Sequence, residues 1–212
     1  MKIKTNNQNS LSCEKQMPYV ESGNVVGLFG GSFNPPHDGH VLVAKTAIQR
    51  LGLQQLWWMV TPGNPLKDNR ALPSLQSRIC LSTKMIDDPR IKITGFEEKI
   101  GAYTSIMTIR HILKRHKGVY FVWIMGGDSL STFHHWHCWR DIVHTLPIAI
   151  IDRPMAKKAV LSAPMAQTYQ KFRIKEEQST SLPYMKAPAW VYIHAQRSNT
   201  SSTALRQQND GK

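Results

Sequence analysis

Long apolar runs are missing from this chain. Nothing in its 212 residues approaches eighteen consecutive apolar positions, so no membrane-spanning helix is expected. The first 22 residues are polar and hold no apolar stretch of the kind a secretory leader needs. These two absences lead to the expectation of a soluble, cytoplasmic protein. Cysteine is scarce: Cys13, Cys80 and Cys138 are three in number and far apart, which fits reduced thiols and not a disulfide framework. Acidic residues are also few, 14 against 27 Lys and Arg, and the formal charge of +13 creates a field that attracts polyanions. Nucleic acid and nucleoside phosphates both satisfy that field. The basic residues are scattered, however, and no zinc-finger spacing, RNA-recognition aromatic signature or basic-helix heptad accompanies them. A nucleic-acid-binding protein is therefore the alternative of a different class. Two Gly-rich nucleotide fingerprints are absent as well, G-x-x-x-x-G-K-[ST] and G-x-G-x-x-G.

With 41% apolar residues, the chain has the material for one globular domain with a core of its own. Residues 1–22 read as a flexible N-terminal extension and 23–212 as the folded domain. Short apolar runs at 25–29, 56–60, 91–94, 119–125, 147–151 and 190–194 predict strands. Helical spacing between them predicts helices over 39–51, 74–86, 104–117 and 136–144. Such alternation implies an α/β fold, a doubly wound parallel sheet with ligands beyond the carboxyl ends of its strands. Residues 155–188, with three prolines, Pro154 just before them and little periodicity, read as a surface excursion.

The segment Gly30-Gly31-Ser32-Phe33-Asn34-Pro35-Pro36-His37-Asp38-Gly39-His40 joins the first strand to the first helix. Its glycines let the backbone approach an anion. The helix it opens directs unpaired N–H groups and a positive dipole end toward that anion. His37 and His40 are three apart at the helix entrance and offer donor nitrogens to the same pocket. An isolated H-x-x-H would more often be a metal site or a pair of solvated turn residues. Here strand, glycine turn, Pro-Pro pair and helix occur together.

H-x-G-H resembles the signature of the nucleotidyltransferase superfamily. The whole GSFNPPHDGH segment is similar to that of the bacterial nicotinate-nucleotide adenylyltransferases. The resemblance runs from about Val25 to Arg206 and implies a Rossmann-like nucleotidyltransferase fold. It assigns Gly30, Gly31, Ser32 and Phe33 to ATP and Asn34 to the mononucleotide. A turn-rich loop after the second strand ends in Lys67, which the resemblance brings to a phosphate. Ala102-Tyr103-Thr104 opens a helix; Thr104 reads as an N-cap, and the family's Ser-Tyr-Thr implies that Tyr103 and Thr104 bind the mononucleotide, the Thr104 region meeting the nicotinate carboxylate. Gly126-Gly127-Asp128 resembles a Gly-Ala-Asp in which small residues admit the nucleotide and the acid helps to hold adenosine, so Gly126 and Asp128 join the ATP set.

The dense run from Phe133 to Arg140 suggests zinc at first sight, but its ligand types are adjacent and lack zinc spacing. Against the family's T-W-H-x-W it places Trp136 on the pyridine ring, where an aromatic face suits a flat cationic heterocycle. Trp139 then reads as core. Near the chain's end Ser201-Ser202-Thr203-Ala204-Leu205-Arg206 sets hydroxyls one helical turn before a guanidinium. It resembles the family's I-S-S-T-x-[IL]-R, which adds Ser201, Ser202, Thr203 and Arg206 to the triphosphate site. Family members continue with a further helix or two, so the last helix is expected to be truncated or absent.

The expected activity joins nicotinate mononucleotide to ATP, giving nicotinate adenine dinucleotide and pyrophosphate in NAD biosynthesis. His37, His40, Lys67 and Arg206 would be catalytic, with Mg2+ bound through the substrate phosphates and no protein metal site. Other nucleotidyltransferases stay open as alternatives. They include one acting on nicotinamide mononucleotide, one adenylylating phosphopantetheine and one transferring a cytidylyl group to an alcohol phosphate.

Overall fold

The computed structural model describes residues 16–63, 72–152 and 161–195. Six strands form one sheet: β1 (Val25–Gly31), β2 (Gln55–Val60), β3 (Ile91–Thr94), β4 (Tyr120–Gly126), β5 (Ile148–Asp152) and β6 (Trp190–His194). Their order is β3-β2-β1-β4-β5-β6, and every neighbouring pair is parallel. All six expected strands are present, as is the doubly wound arrangement.

The strands read as unbroken apolar runs because both faces of the sheet are covered. Successive residues point to opposite sides. Val26, Leu28, Trp57, Trp123, Ile148 and Trp190 therefore build one core, while Val25, Phe29, Trp58, Ile124, Ala149 and Val191 build the other. The second core receives helix α1 (Asp38–Leu51) through Val43, Ala44, Ala47, Ile48 and Leu51. That helix stops at Gly52, whose left-handed φ of 64° returns the cap N–H to the Ile48 carbonyl. Helix α2 (Leu75–Met85) begins where the Ser74 hydroxyl accepts from the Ser77 N–H at 3.2 Å. A short α3 (Phe96–Ile100) leads into α4 (Ser105–Arg115), whose Ile106, Ile109 and Ile112 enter the first core. After β4 come the single turn α5 (Gly127–Leu130), α6 (Trp139–Thr145) and, later, α7 (Pro164–Thr168). Among the described residues no helix is long and apolar enough to cross a membrane.

Three segments depart from the sequence-based expectation. Residues 16–22, assigned to the extension, are docked: Val20 is buried, the Gln16 carbonyl accepts from Thr94 Oγ1 at 2.8 Å, and the Tyr19 carbonyl accepts from Gln55 Nε2 at 3.1 Å. Helix 136–144 starts late, because Trp136 is extended and Cys138 adopts a left-handed φ of 51° before α6 begins at Trp139. The described part of 155–188 is not a surface excursion. Met165, Ala166, Tyr169 and Leu182 are buried, and the Tyr169 carbonyl accepts from the buried Trp190 indole at 2.7 Å. Its helical turns are too short to show a period, which is why the pattern looked featureless.

Candidate active site

The strand order reverses between β1 and β4, and the loops leaving these two parallel strands border a crevice. Gly30 sits against the Trp123 indole: a Cβ there would lie 3.2 Å from the ring edge, so a side chain would displace the wall. Beyond β1 the chain turns at Phe33, which holds a left-handed φ of 44°. Packing supports that unusual backbone, since the Phe33 ring is buried, stacked on Trp58 at 4.3 Å and edge-on to His40 at 5.1 Å. Phe33 thus anchors the turn.

His37 precedes the first turn of α1 with extended backbone, and its ring lies 3.8 Å from that of His40, centroid to centroid. The His37 N–H donates to His40 Nδ1 at 3.2 Å. An accepting Nδ1 requires the proton of the neutral imidazole to be on Nε2, so His40 presents a donor at its outer nitrogen. Donor rings and the positive end of a 14-residue helix converge here, the chemistry an anionic phosphate requires.

Arg78 on α2, unremarked in the sequence, ties this turn to the next loop. Its buried guanidinium donates to the carbonyls of Ser32 at 2.8 Å, Thr61 at 2.7 Å, Pro62 at 3.1 Å and Pro73 at 3.0 Å. An arginine on a helix ordinarily reads as a solvated side chain. Only its position on the face carrying Leu75, Ile79 and Ser82 hinted otherwise.

The opposite wall comes from α3, α4 and β4. Thr104 occupies the N-cap position of α4, yet its side chain makes no capping bond, and its buried Oγ1 meets no protein partner. Tyr103 is largely exposed beside it. Glu97, also missed, is a buried carboxyl whose Oε1 accepts from Thr108 Oγ1 at 2.6 Å. Burial pushes its pKa up to about 7, against the lowering effect of the Thr108 bond. Trp136 is half-buried and perpendicular to Trp123, with ring centroids 6.3 Å apart. Trp139 is core, packed on Phe133 and Tyr169.

One cavity of about 650 Å³ unites these groups. Gly30, Gly31, Ser32, Phe33, Asn34, His37 and His40 line it from the β1 side; Tyr103, Thr104, Gly126, Asp128 and Trp136 line it from the other. Glu97, Trp123, His135 and His137 also border it. Lys67, Ser201, Ser202, Thr203 and Arg206 lie outside the described residues. Among the described residues no group of three or more His, Cys, Asp or Glu side chains could hold a metal ion.

A parallel sheet in this order, with a glycine turn and a helix start at its point of reversal, defines a nucleotide-binding α/β protein. Residues 28–208 match the cytidylyltransferase-like family, and the chain belongs to it. A protein of Rhizobium meliloti (strain 1021) named "Probable nicotinate-nucleotide adenylyltransferase" is 54% identical over 186 residues, covering 88% of this chain and 99% of that protein. One of the same name from Mesorhizobium japonicum is 52% identical over 195 residues, covering 92% and 100%. Among solved structures, the Plasmodium falciparum nicotinic acid mononucleotide adenylyltransferase complexed with NaAD shares the fold, with a TM-score of 0.61 at 15% identity over 87% of this chain and 83% of that one.

Proposed function

We propose that this chain is a nicotinate-nucleotide adenylyltransferase, joining nicotinate mononucleotide to ATP and releasing pyrophosphate. The observation that carries the reading is the single cavity. A helix start bearing His37 and His40 shares it with an uncapped helix start at Thr104 and the Trp136 ring. The first end suits a phosphate chain; the second suits a flat ring carrying an acceptor group. Relatives of this name at more than half identity support it over most of the chain.

In the reaction a phosphate oxygen of the mononucleotide attacks the α-phosphorus of ATP in line, forming one P–O bond as the bond to pyrophosphate breaks. That oxygen is already ionised near neutral pH, so no side-chain nucleophile is required. His37 and His40 donate to the charge developing at the α-phosphate, and Gly30, Gly31 and Ser32 let the backbone close on ATP. Lys67, Ser202 and Arg206 are assigned to the substrate phosphates by resemblance to the family motifs, and Asp128 to the adenosine. Asn34, Tyr103, Thr104 and Trp136 hold the mononucleotide. Magnesium would be carried in by ATP, with no group of this chain assigned to it, and would supply charge neutralisation for the leaving pyrophosphate.

The test is pyrophosphate release from ATP with a panel of acceptors: nicotinate mononucleotide, nicotinamide mononucleotide, phosphopantetheine and an alcohol phosphate. The reading requires the first to be turned over with the highest kcat/KM. Preference for any other acceptor overturns it.

A further inference from the structure

The fold buries four tryptophans almost completely, and their indole N–H groups are treated differently. Trp57 donates to Gln55 Oε1 at 3.0 Å and Trp190 to the Tyr169 carbonyl at 2.7 Å. Trp58 and Trp123 have no protein acceptor for Nε1, and of these two only Trp123 lines the cavity. A buried donor without an acceptor is costly, and it is tolerated most readily where a ligand supplies the acceptor.

We propose that Trp123 donates its indole N–H to an oxygen on the pyridine substituent of the bound mononucleotide, and is a specificity-determining residue for the acceptor substrate. This rests on the proposed reaction and extends it to a residue that no motif marks. Three placements carry it. The Trp123 ring is only 1% exposed and its edge lies against Gly30, so the indole is held in one orientation. Its plane is perpendicular to Trp136, the seat assigned to the pyridine ring. Thr104 borders the same cavity and its buried Oγ1 has no protein partner, so a substituent seated between the two residues has a hydroxyl and an indole N–H to satisfy. The indole donates only. It makes a charge-assisted bond to a carboxylate and a weaker one to an amide oxygen.

Trp123→Phe keeps the ring in the wall and removes the donor. In the folded variant, KM for nicotinate mononucleotide should rise about tenfold with kcat and the ATP KM little changed, and the preference for acid over amide should narrow. Independently of any variant, the assigned Trp123 indole resonance of the 15N-labelled wild-type protein should shift on adding nicotinate mononucleotide alone and stay in place with ATP alone. A normal mononucleotide KM in Trp123→Phe, or an indole resonance that responds to ATP and not to the mononucleotide, overturns the proposal. If the wild-type enzyme does not turn over nicotinate mononucleotide, the reaction itself is misassigned. Turnover in the wild type with no effect of the variant condemns the Trp123 role alone.

Discussion

His40 is held from two sides, by the His37 N–H on Nδ1 and by the Phe33 ring against its own. Its outer nitrogen is thus oriented before any substrate arrives, and preorganised donors are worth most as charge develops in the transition state. His40→Ala should cut kcat by about two orders of magnitude, near 3 kcal/mol, with an unchanged far-ultraviolet circular dichroism spectrum. Near-normal turnover in a folded variant would remove His40 from the chemistry. Glu97 makes a separate statement about pH. Its carboxyl has a folded pKa of about 7 against an ordinary value of 4.5, so the native state binds a proton that the unfolded chain has released. The associated stability is complete below about pH 4.5 and is lost as pH rises to about 7, a total of about 3 kcal/mol. Glu97→Gln keeps an acceptor for Thr108 and cannot ionise. Its melting temperature should exceed that of the wild type at pH 8, with the gap closing toward pH 5. Parallel melting curves across that range would show that Glu97 ionises freely in the fold.

Elements meet at Arg78. One side chain on α2 holds carbonyls from the turn after β1, the loop after β2 and the approach to α2 itself. Backbone carbonyls in those connections cannot pair with one another, and a single guanidinium satisfies all four. Arg78→Ala should therefore destabilise the protein by about 3 kcal/mol or more and loosen the glycine turn. Arg78→Lys should recover only part of the loss, because an ammonium on a flexible stem lacks the planar fork. Urea unfolding midpoints for the three proteins measure it; a lysine variant as stable as the wild type would mean that charge and not geometry binds these loops. The same scale explains the Trp136 region. The sequence predicts a helix over 136–144, but Trp136, His137 and Cys138 form a bend that turns Trp136 toward the cavity and Trp139 into the core.

Over the whole molecule the formal charge of +13 is spread and not blocked, and both proposed substrates are anions. Such a field acts on encounter more than on chemistry. Raising ionic strength from about 0.01 M to 0.15 M shortens the screening length from about 30 Å to 8 Å and should lower kcat/KM several-fold while kcat changes little. A flat kcat/KM would show that the field does not steer substrate.

The amino-acid sequence alone determines what short-range chemistry dictates. Apolar runs bounded by glycine and proline located all six strands, because parallel strands covered on both faces must be apolar throughout. The Gly-Gly turn and the His37–His40 spacing marked the strand-to-helix connection that lines the cavity, since both act within that one connection. The contribution of Tyr103, Thr104 and Trp136 was placed by resemblance to a family motif, whereas their meeting with His37 and His40 in one cavity follows from strand order. Glu97, Arg78 and Trp123 were invisible for a common reason. Whether a carboxyl, a guanidinium or an indole N–H is solvated, paired or left for a ligand depends on neighbours far away in the chain. The parallel sheet brings Ser32 and Thr61 around Arg78 and Gly30 to Trp123, and the packing of α3 on α4 brings Thr108 to Glu97. Local pattern determined which segments are strands and helices; tertiary packing alone decided which polar groups lost water, and that loss sets their pKa values, their bonds and their availability to substrate.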